Sequence, residues 1–193
     1  MKDRDYTIVF RLIHWAIAIC MLLMLITIFL RLNWMNKNHV SQIIQTYIST
    51  IGVSLTQDQS ITLAKAIREP MWEWHIKIGY ILTALFSIRF LLPLIGSCKF
   101  SNPFQKLLSA KEKFQFSVYI VFYACIVITL TTGLLIEHGP KSITDTAEDI
   151  HVLSIYYLIT YLILHLGGVI MAELTNQQGI ISKMVSGKRN TVN

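Results

Sequence analysis

The sequence predicts an all-α fold: a bundle of four transmembrane helices, with a small helical cap between the first and the second. Three observations carry this. Hydrophobic residues make up 53% of the 193-residue chain. Charged residues make up only 15%, against roughly 25% in soluble domains, and mean hydropathy is +0.52. The apolar residues are also gathered into long blocks with the charges lying between them, instead of recurring at a helical or strand period.

A helix needs about 20 apolar residues to cross a bilayer core, and four blocks meet that length. The first runs from about Ile8 to Leu30, the second from about Trp72 to Ile95, the third from about Phe114 to Ile136 and the fourth from about Ile150 to Ala172. The first is long and no small-residue cleavage site follows it, so it is expected to stay as a helix and not to leave as a signal peptide. The whole chain, 1–193, reads as one integral membrane domain.

Residues 36–70 exceed what a turn between the first two spans requires. Val40, Ile43, Ile44, Tyr47, Ile48 and Ile51 follow helical spacing and predict an amphipathic surface helix. Thr56 and Gln59 form a capping-box pattern that opens a second short helix, and Pro70 is expected to limit it. Together these make the cap.

Lysine and arginine set the orientation. Lys2, Arg4, Arg11, Lys99, Lys106, Lys111, Lys113, Lys183, Lys188 and Arg189 fall on one side. Arg31, Lys37, Lys65, Arg68, Lys77 and Lys141 fall on the other, with the acidic run Asp145, Glu148, Asp149. Ten charges against six place both termini in the cytoplasm, the cap on the outer face, and Trp34, Trp72 and Trp74 at the outer interface. The net charge of +6 forms no continuous basic stripe, which argues against nucleic acid as a partner and for the lipid bilayer. Cys20, Cys98 and Cys125 lie far apart, with no C-x-x-C pair and no C-x-x-C-H attachment motif. A haem here would be held without thioether links.

Four of the six histidines fall in or at the edges of the spans: His14 near the cytoplasmic end of the first, His75 near the outer end of the second, and His151 and His165 on the fourth. Fourteen residues of α-helix advance about 21 Å and fall about 40° short of four full turns. His151 and His165 therefore face one way at two depths, His165 at the depth of His14 and His151 at the depth of His75. Intramembrane ionisable residues are rare and usually functional, and two depth-matched imidazole pairs suit two six-coordinate, low-spin haems in the bundle core. Metal ligation is thus assigned to His14 with His165 and to His75 with His151. Arg11, Lys77 and Arg89 are candidates for the haem propionates, and Gly79, Gly167 and Gly168 for close approach of a flat macrocycle. Simpler readings stand beside these. His151, the least buried of the four, also reads as an interface residue, Arg11 and Arg89 equally as snorkelling side chains, and the glycines equally as helix-packing positions. His39 and His138 read as solvated surface.

The motifs Arg11-Leu-Ile-His14-Trp15, Trp74-His75-Ile-Lys-Ile-Gly79, the His151/His165 spacing and the tail Gly179-Ile-Ile-Ser-Lys-Met-Val-Ser-Gly187-Lys-Arg are in view at this point. With them the chain resembles the bacterial di-haem cytochrome b-561 family and the related b-type cytochrome subunits of nickel–iron hydrogenases, a cytochrome b/b6-like membrane domain. The resemblance covers most of the chain outside 36–70. It implies two non-covalent b haems, electron transfer between a membrane quinone and a redox partner protein on the outer face, and a place in the respiratory chain of the cell inner membrane. Whether the chain is itself an enzyme, an oligomer or a subunit of a larger oxidoreductase stays open. Some family members carry a further histidine at the start of the third span, where this chain reads Lys113-Phe-Gln115-Phe-Ser117, and the cap is longer than in compact members. Two other readings compete: a stand-alone membrane oxidoreductase such as a superoxide:quinone oxidoreductase, and a haem-free small transporter or scaffold using its histidines as proton relays.

Overall fold

A computed structural model describes residues 7–92, 109–175 and 178–187. The described residues form seven α-helices and no strand: α1 (Ile8–Leu32), α2 (Lys37–Thr50), α3 (Gln57–Leu91), α4 (Ala110–His138), α5 (Lys141–Val152), α6 (Ser154–Leu174) and α7 (Ile180–Ser186). The expected end of the second span at Ile95, together with Lys2, Arg4, Cys98, Lys99, Lys106, Lys188 and Arg189, lies outside the described residues.

Three described stretches are long and apolar enough to cross a membrane: Ile8–Leu32, Glu112–His138 and Lys141–Leu174. Their apolar side chains stay outside the protein interior. Leu12, Ile19, Ile26 and Phe29 of α1, and Ile163, Ile170 and Met171 of α6, are all exposed. Such continuous apolar surface would be costly against water and is at home against lipid. The second expected span belongs to α3, where Glu73, Lys77 and Arg89 interrupt the apolar residues and the apolar end runs past the described stretch.

The chain divides into two compact units, Met1–Trp15 with Ile88–Asn193, and Ala16–Ser87. In the second unit the cap forms as a helix pair, but not as two short helices. The capping box is present: the Thr56 N–H donates to Gln59 Oε1 at 2.9 Å, and the Gln59 N–H donates to the Thr56 hydroxyl at 3.3 Å. From there α3 runs unbroken through Pro70 to Leu91, so Pro70 does not end the helix as the sequence suggests. Proline removes one backbone donor, at a cost of about 3 kcal/mol in a helix interior. The carbonyl it deprives belongs to Ala66, an exposed residue on the polar half of α3, while Ala64 before it and His75, Ile78, Leu82 and Phe86 after it are buried and hold both halves in place.

Small residues close the seam between α2 and α3. Ser41, Ser60 and Ala64 are 0% exposed. The Ser41 hydroxyl donates to Ser60 Oγ at 2.8 Å, the Gln45 amide donates to the same oxygen at 2.9 Å, and Ser60 donates to the Gln57 carbonyl at 2.9 Å. Every polar group in the seam is satisfied, as burial demands. The apolar residues Ile43 and Tyr47 of α2, and Ile51 at its C-terminal cap, instead lie exposed.

In the first unit α4 starts earlier than expected because Ser109 and Glu112 form a capping box. The Ser109 N–H donates to Glu112 Oε2 at 2.9 Å, and the Glu112 N–H donates to the Ser109 hydroxyl at 3.3 Å. It ends at Gly139, where a β-carbon would meet the Leu135 carbonyl oxygen, and Pro140 then opens α5. The expected fourth span is two helices joined at Leu153, so His151 sits in the last turn of α5 and His165 on α6. The junction is tightly wound, with Leu153 N–H bonded to the Ile150 carbonyl and Tyr156 N–H to the Leu153 carbonyl, both at 3.2 Å. Each residue wound at 3.0 per turn instead of 3.6 adds about 20°, which offsets part of the 40° angular shortfall between the two histidines. The C-terminal α7 lies between Gly179 (φ +83°) and Gly187 (φ +81°). The Glu173 carboxylate accepts from the Gly179 and Ile181 N–H groups at 2.8 and 3.0 Å, which satisfies donors that a helix N-terminus leaves open.

Candidate haem-binding site

His14 lies in the second turn of α1, a helix whose start is fixed by the Thr7 hydroxyl accepting from the Phe10 N–H at 3.3 Å. Its ring lies 6.1 Å from the ring of His165, centroid to centroid, with the planes at 51°. Both imidazoles are half-buried. Aromatic packing orients His165: Tyr161, one turn earlier, stacks on it at 5.5 Å and 14°, and Phe122 of α4 stacks on Tyr161 at 3.5 Å and 15°. Trp15 stands edge-on to His14 at 5.8 Å.

Two guanidinium groups accompany this pair. Arg11 Nη1 donates to the Val185 carbonyl at 3.0 Å, and Trp15 Nε1 donates to the Met184 carbonyl at 3.3 Å. The Arg-Leu-Ile-His-Trp motif thus also ties down the carbonyl end of α7. A β-carbon at Gly187 would stand 2.9 Å from the Arg11 guanidinium, so glycine is required there for space as well as for its positive φ. Arg89 lies over the Phe10 ring, 3.9 Å from its centroid and one turn before His14. Arg11 Nε and Arg89 Nη1 are buried with no hydrogen-bond partner, a costly state unless an anionic group meets them.

The other two histidines are anchored through Nδ1. His75 is 6% exposed, and its Nδ1 lies 2.8 Å from the Thr27 hydroxyl. That hydroxyl directs its single proton to the Met24 carbonyl at 2.7 Å, so Nδ1–H is the donor and the ring's lone pair is on Nε2. Trp72 stacks on the His75 ring at 4.6 Å and 4°, and the Arg31 guanidinium lies over Trp72 at 4.5 Å. His151 Nδ1 lies 3.1 Å from the Thr129 carbonyl oxygen and 3.2 Å from the Thr132 hydroxyl. A carbonyl only accepts, so this ring too carries its proton on Nδ1 and its lone pair on Nε2. Gly133 makes room for the ring, since a β-carbon there would lie 3.1 Å from His151 Cε1. Thr129 also shares its hydroxyl with the Tyr157 hydroxyl at 2.7 Å.

Of the remaining candidates, Lys77 pairs with Glu73 at 3.0 Å, with both side chains largely exposed. A β-carbon at Gly79, Gly167 or Gly168 would meet nothing within 4 Å. His39 lines a shallow depression of about 450 Å³ on α2 with Ile43 and Tyr47. Sequence reasoning passed over Thr27, Thr129, Thr132 and Gly133. The signal available was the Thr131-Thr132-Gly133 run, polar and small inside an otherwise apolar block.

The donor set suits a haem. A metal–imidazole bond of about 2.0–2.1 Å and a ring radius of about 1.2 Å would separate two imidazole centroids on one iron by about 6.5 Å, close to the 6.1 Å between His14 and His165. No group of three or more His, Cys, Asp or Glu side chains able to hold a metal occurs among the described residues, whereas a porphyrin iron asks the protein for only two.

Apolar helices of membrane-crossing length, with imidazoles among them, define a multi-pass membrane protein. The family model of prokaryotic cytochrome b561 matches residues 5–187, and the chain belongs to that family. It is accordingly a membrane b-type cytochrome of electron transport, a family that binds haem b. No curated protein and no solved structure matches the chain.

Proposed function

We propose that the chain relays electrons between a membrane quinone and a redox partner on the outer face. Four transmembrane helices would hold two b haems, with α3 supplying the second of the four helices. His14 and His165 would hold one haem. His75 and His151 would hold the other, a pairing that rests on their matched depth in the sequence. The single observation that carries the reading is the 6.1 Å opposition of the His14 and His165 rings beside guanidinium nitrogens that lack a partner.

Haem b, when bound, supplies a one-electron ferric/ferrous couple. The chain's own residues do the rest. The four imidazoles offer neutral lone pairs, Arg11 and Arg89 offer buried donors to the propionates, and the apolar helices keep water from the porphyrin faces. Lys77 is the weaker propionate candidate because Glu73 already engages it. The basic residues favour both termini in the cytoplasm of an inner-membrane protein, with the cap as the outer docking surface.

The test is a pyridine haemochrome assay with a reduced-minus-oxidised spectrum on purified protein, repeated for His165→Ala and His75→Ala. Two b haems per chain are expected, each substitution removing a different one. Protein that carries no haem despite adequate haem supply would overturn the reading and favour a transporter or scaffold.

A further inference from the structure

We propose that Tyr161 and Phe122 are positioning residues whose stacked rings fix the plane of the His165 imidazole against that of His14. By doing so they aim the iron orbital that takes up the electron. The inference rests on the reading that His14 and His165 hold one haem.

An axial imidazole can turn about its bond to iron unless something holds its plane. The usual holder is a hydrogen bond from the second ring nitrogen. Among the described residues no hydrogen bond reaches a ring nitrogen of His14 or His165. Rings do the holding instead. Tyr161, one turn before His165 on α6, lies 5.5 Å from it with the planes 14° apart, within the range that aromatic pairs favour. Phe122 of α4 covers Tyr161 at 3.5 Å and 15°. Phe122 is itself only 6% exposed, so it swings aside only by disturbing close-packed neighbours. His14 is set from another direction: Trp15 stands edge-on to it at 83°, and Trp15 Nε1 is tied to the Met184 carbonyl at 3.3 Å. All of these residues belong to the unit made of Met1–Trp15 and Ile88–Asn193. The two imidazole planes end 51° apart.

That angle has an electronic meaning. In a low-spin ferric haem each axial imidazole raises the iron dπ orbital that lies perpendicular to its own plane. Parallel rings raise the same orbital and their effects add, whereas perpendicular rings raise both and the effects cancel. The splitting follows the cosine of the angle between the planes, so at 51° it is about 0.6 of the parallel value. Near this angle a turn of about 10° changes the splitting by about a fifth. The upper orbital holds the vacancy that the electron fills, and its direction in the porphyrin plane follows from the two ring planes.

The experiment is electron paramagnetic resonance of the oxidised, purified protein, whose g values report this splitting. The signal followed is the one that His165→Ala abolishes. Tyr161→Leu removes the ring beside the ligand and should change the splitting by about a fifth or more, or broaden the line across that range. Phe122→Leu should move the same signal by less, because Tyr161 remains. Tyr161→Phe keeps the stack and should leave the signal in place. Haem content, from the pyridine haemochrome assay, should be unchanged in all three. Phe122→Leu decides the matter if Tyr161→Leu loses its haem or fails to fold, since Phe122 stands one ring removed from the ligand.

A signal that both leucine variants leave unmoved overturns the inference, whatever happens to the thermal midpoint, because the rings would then serve stability alone. So does a signal that Tyr161→Phe moves as far as Tyr161→Leu, since the hydroxyl and not the ring face would then be acting. Either result leaves the His14/His165 haem in place. A protein in which His165→Ala abolishes no haem signal would instead remove the reading beneath it.

Discussion

Gly133→Ala separates a ligand-positioning role from a general effect on stability. A β-carbon at this position would lie 3.1 Å from His151 Cε1 and 3.5 Å from Nδ1. Carbon atoms pack best at about 3.5–4.0 Å, so the imidazole must retreat from α4 by about 0.4 Å. Its anchor, the Thr129 carbonyl, is on the same helix, and a bond now 3.1 Å long would stretch toward about 3.5 Å, past the useful range for N–H···O. Overpacking costs about 1–3 kcal/mol, and alanine in a helix interior regains about 1 kcal/mol relative to glycine. The net change in folding stability is therefore small, about 0–2 kcal/mol destabilising. Ligand geometry carries the larger effect, since outer-shell changes at metal sites cost about 10–100-fold in affinity or activity. The assay pairs haem stoichiometry and spectrum with the thermal midpoint in detergent. One haem should be lost or spectrally altered, with the midpoint moving little. Two haems with unchanged spectra and a raised midpoint would refute the reasoning, because only helix propensity would then have changed.

Other substitutions test other parts of the structure. Thr56→Ala should cost about 1 kcal/mol by removing the cap of α3, read as faster hydrogen exchange in residues 57–61 with haem content unchanged. Ala64→Leu, at a position with 0% exposure, should force α2 and α3 apart at about 1–3 kcal/mol and open residues 37–56 to limited proteolysis. Arg11→Leu should free the carbonyl end of α7, costing about 1 kcal/mol and raising exchange in residues 180–187 several-fold. Lys77→Gln breaks only an exposed ion pair, worth about 0–1 kcal/mol, and should leave both haems bound; loss of a haem would restore Lys77 as a propionate partner.

The membrane character was plain in the sequence because it depends on a few strong signals, the long apolar blocks, and the four histidines stood out as candidates because ionisable residues are costly there. The amphipathic helix at 37–50 and the Thr56 capping box were legible for the same reason, being local patterns with a fixed period or offset. Pro70 misled because its penalty is local, while the burial that outweighs it comes from Ala64, His75 and Ile78, residues that meet their neighbours only in the fold. The junction at Leu153 could not be read, since nothing in Val152-Leu153-Ser154 breaks a helix by propensity. Thr27, Thr129 and Thr132 were equally silent. A threonine inside an apolar block most often bonds its own preceding turn, as Thr27 and Thr132 also do, and its second contact depends on which helix lies opposite. The same holds for the inward face of α2, where the pattern favoured the isoleucines and the fold buries Ser41.

One feature of α3 bears on how the family could vary the cap. The helix has 35 residues, about 52 Å at 1.5 Å per residue, against a bilayer core of about 30 Å. The seam residues Ser60 and Ala64 and the proposed ligand His75 are carried on this one rod. The cap and the His75 ring are therefore phase-locked: deleting a single residue between Ala64 and His75 would turn the cap by about 100° relative to the imidazole. Deleting seven would turn it by only about 20°. The distance between cap and His75 in such proteins should accordingly change in steps of whole heptads, which keep the same side of the cap in register with the imidazole.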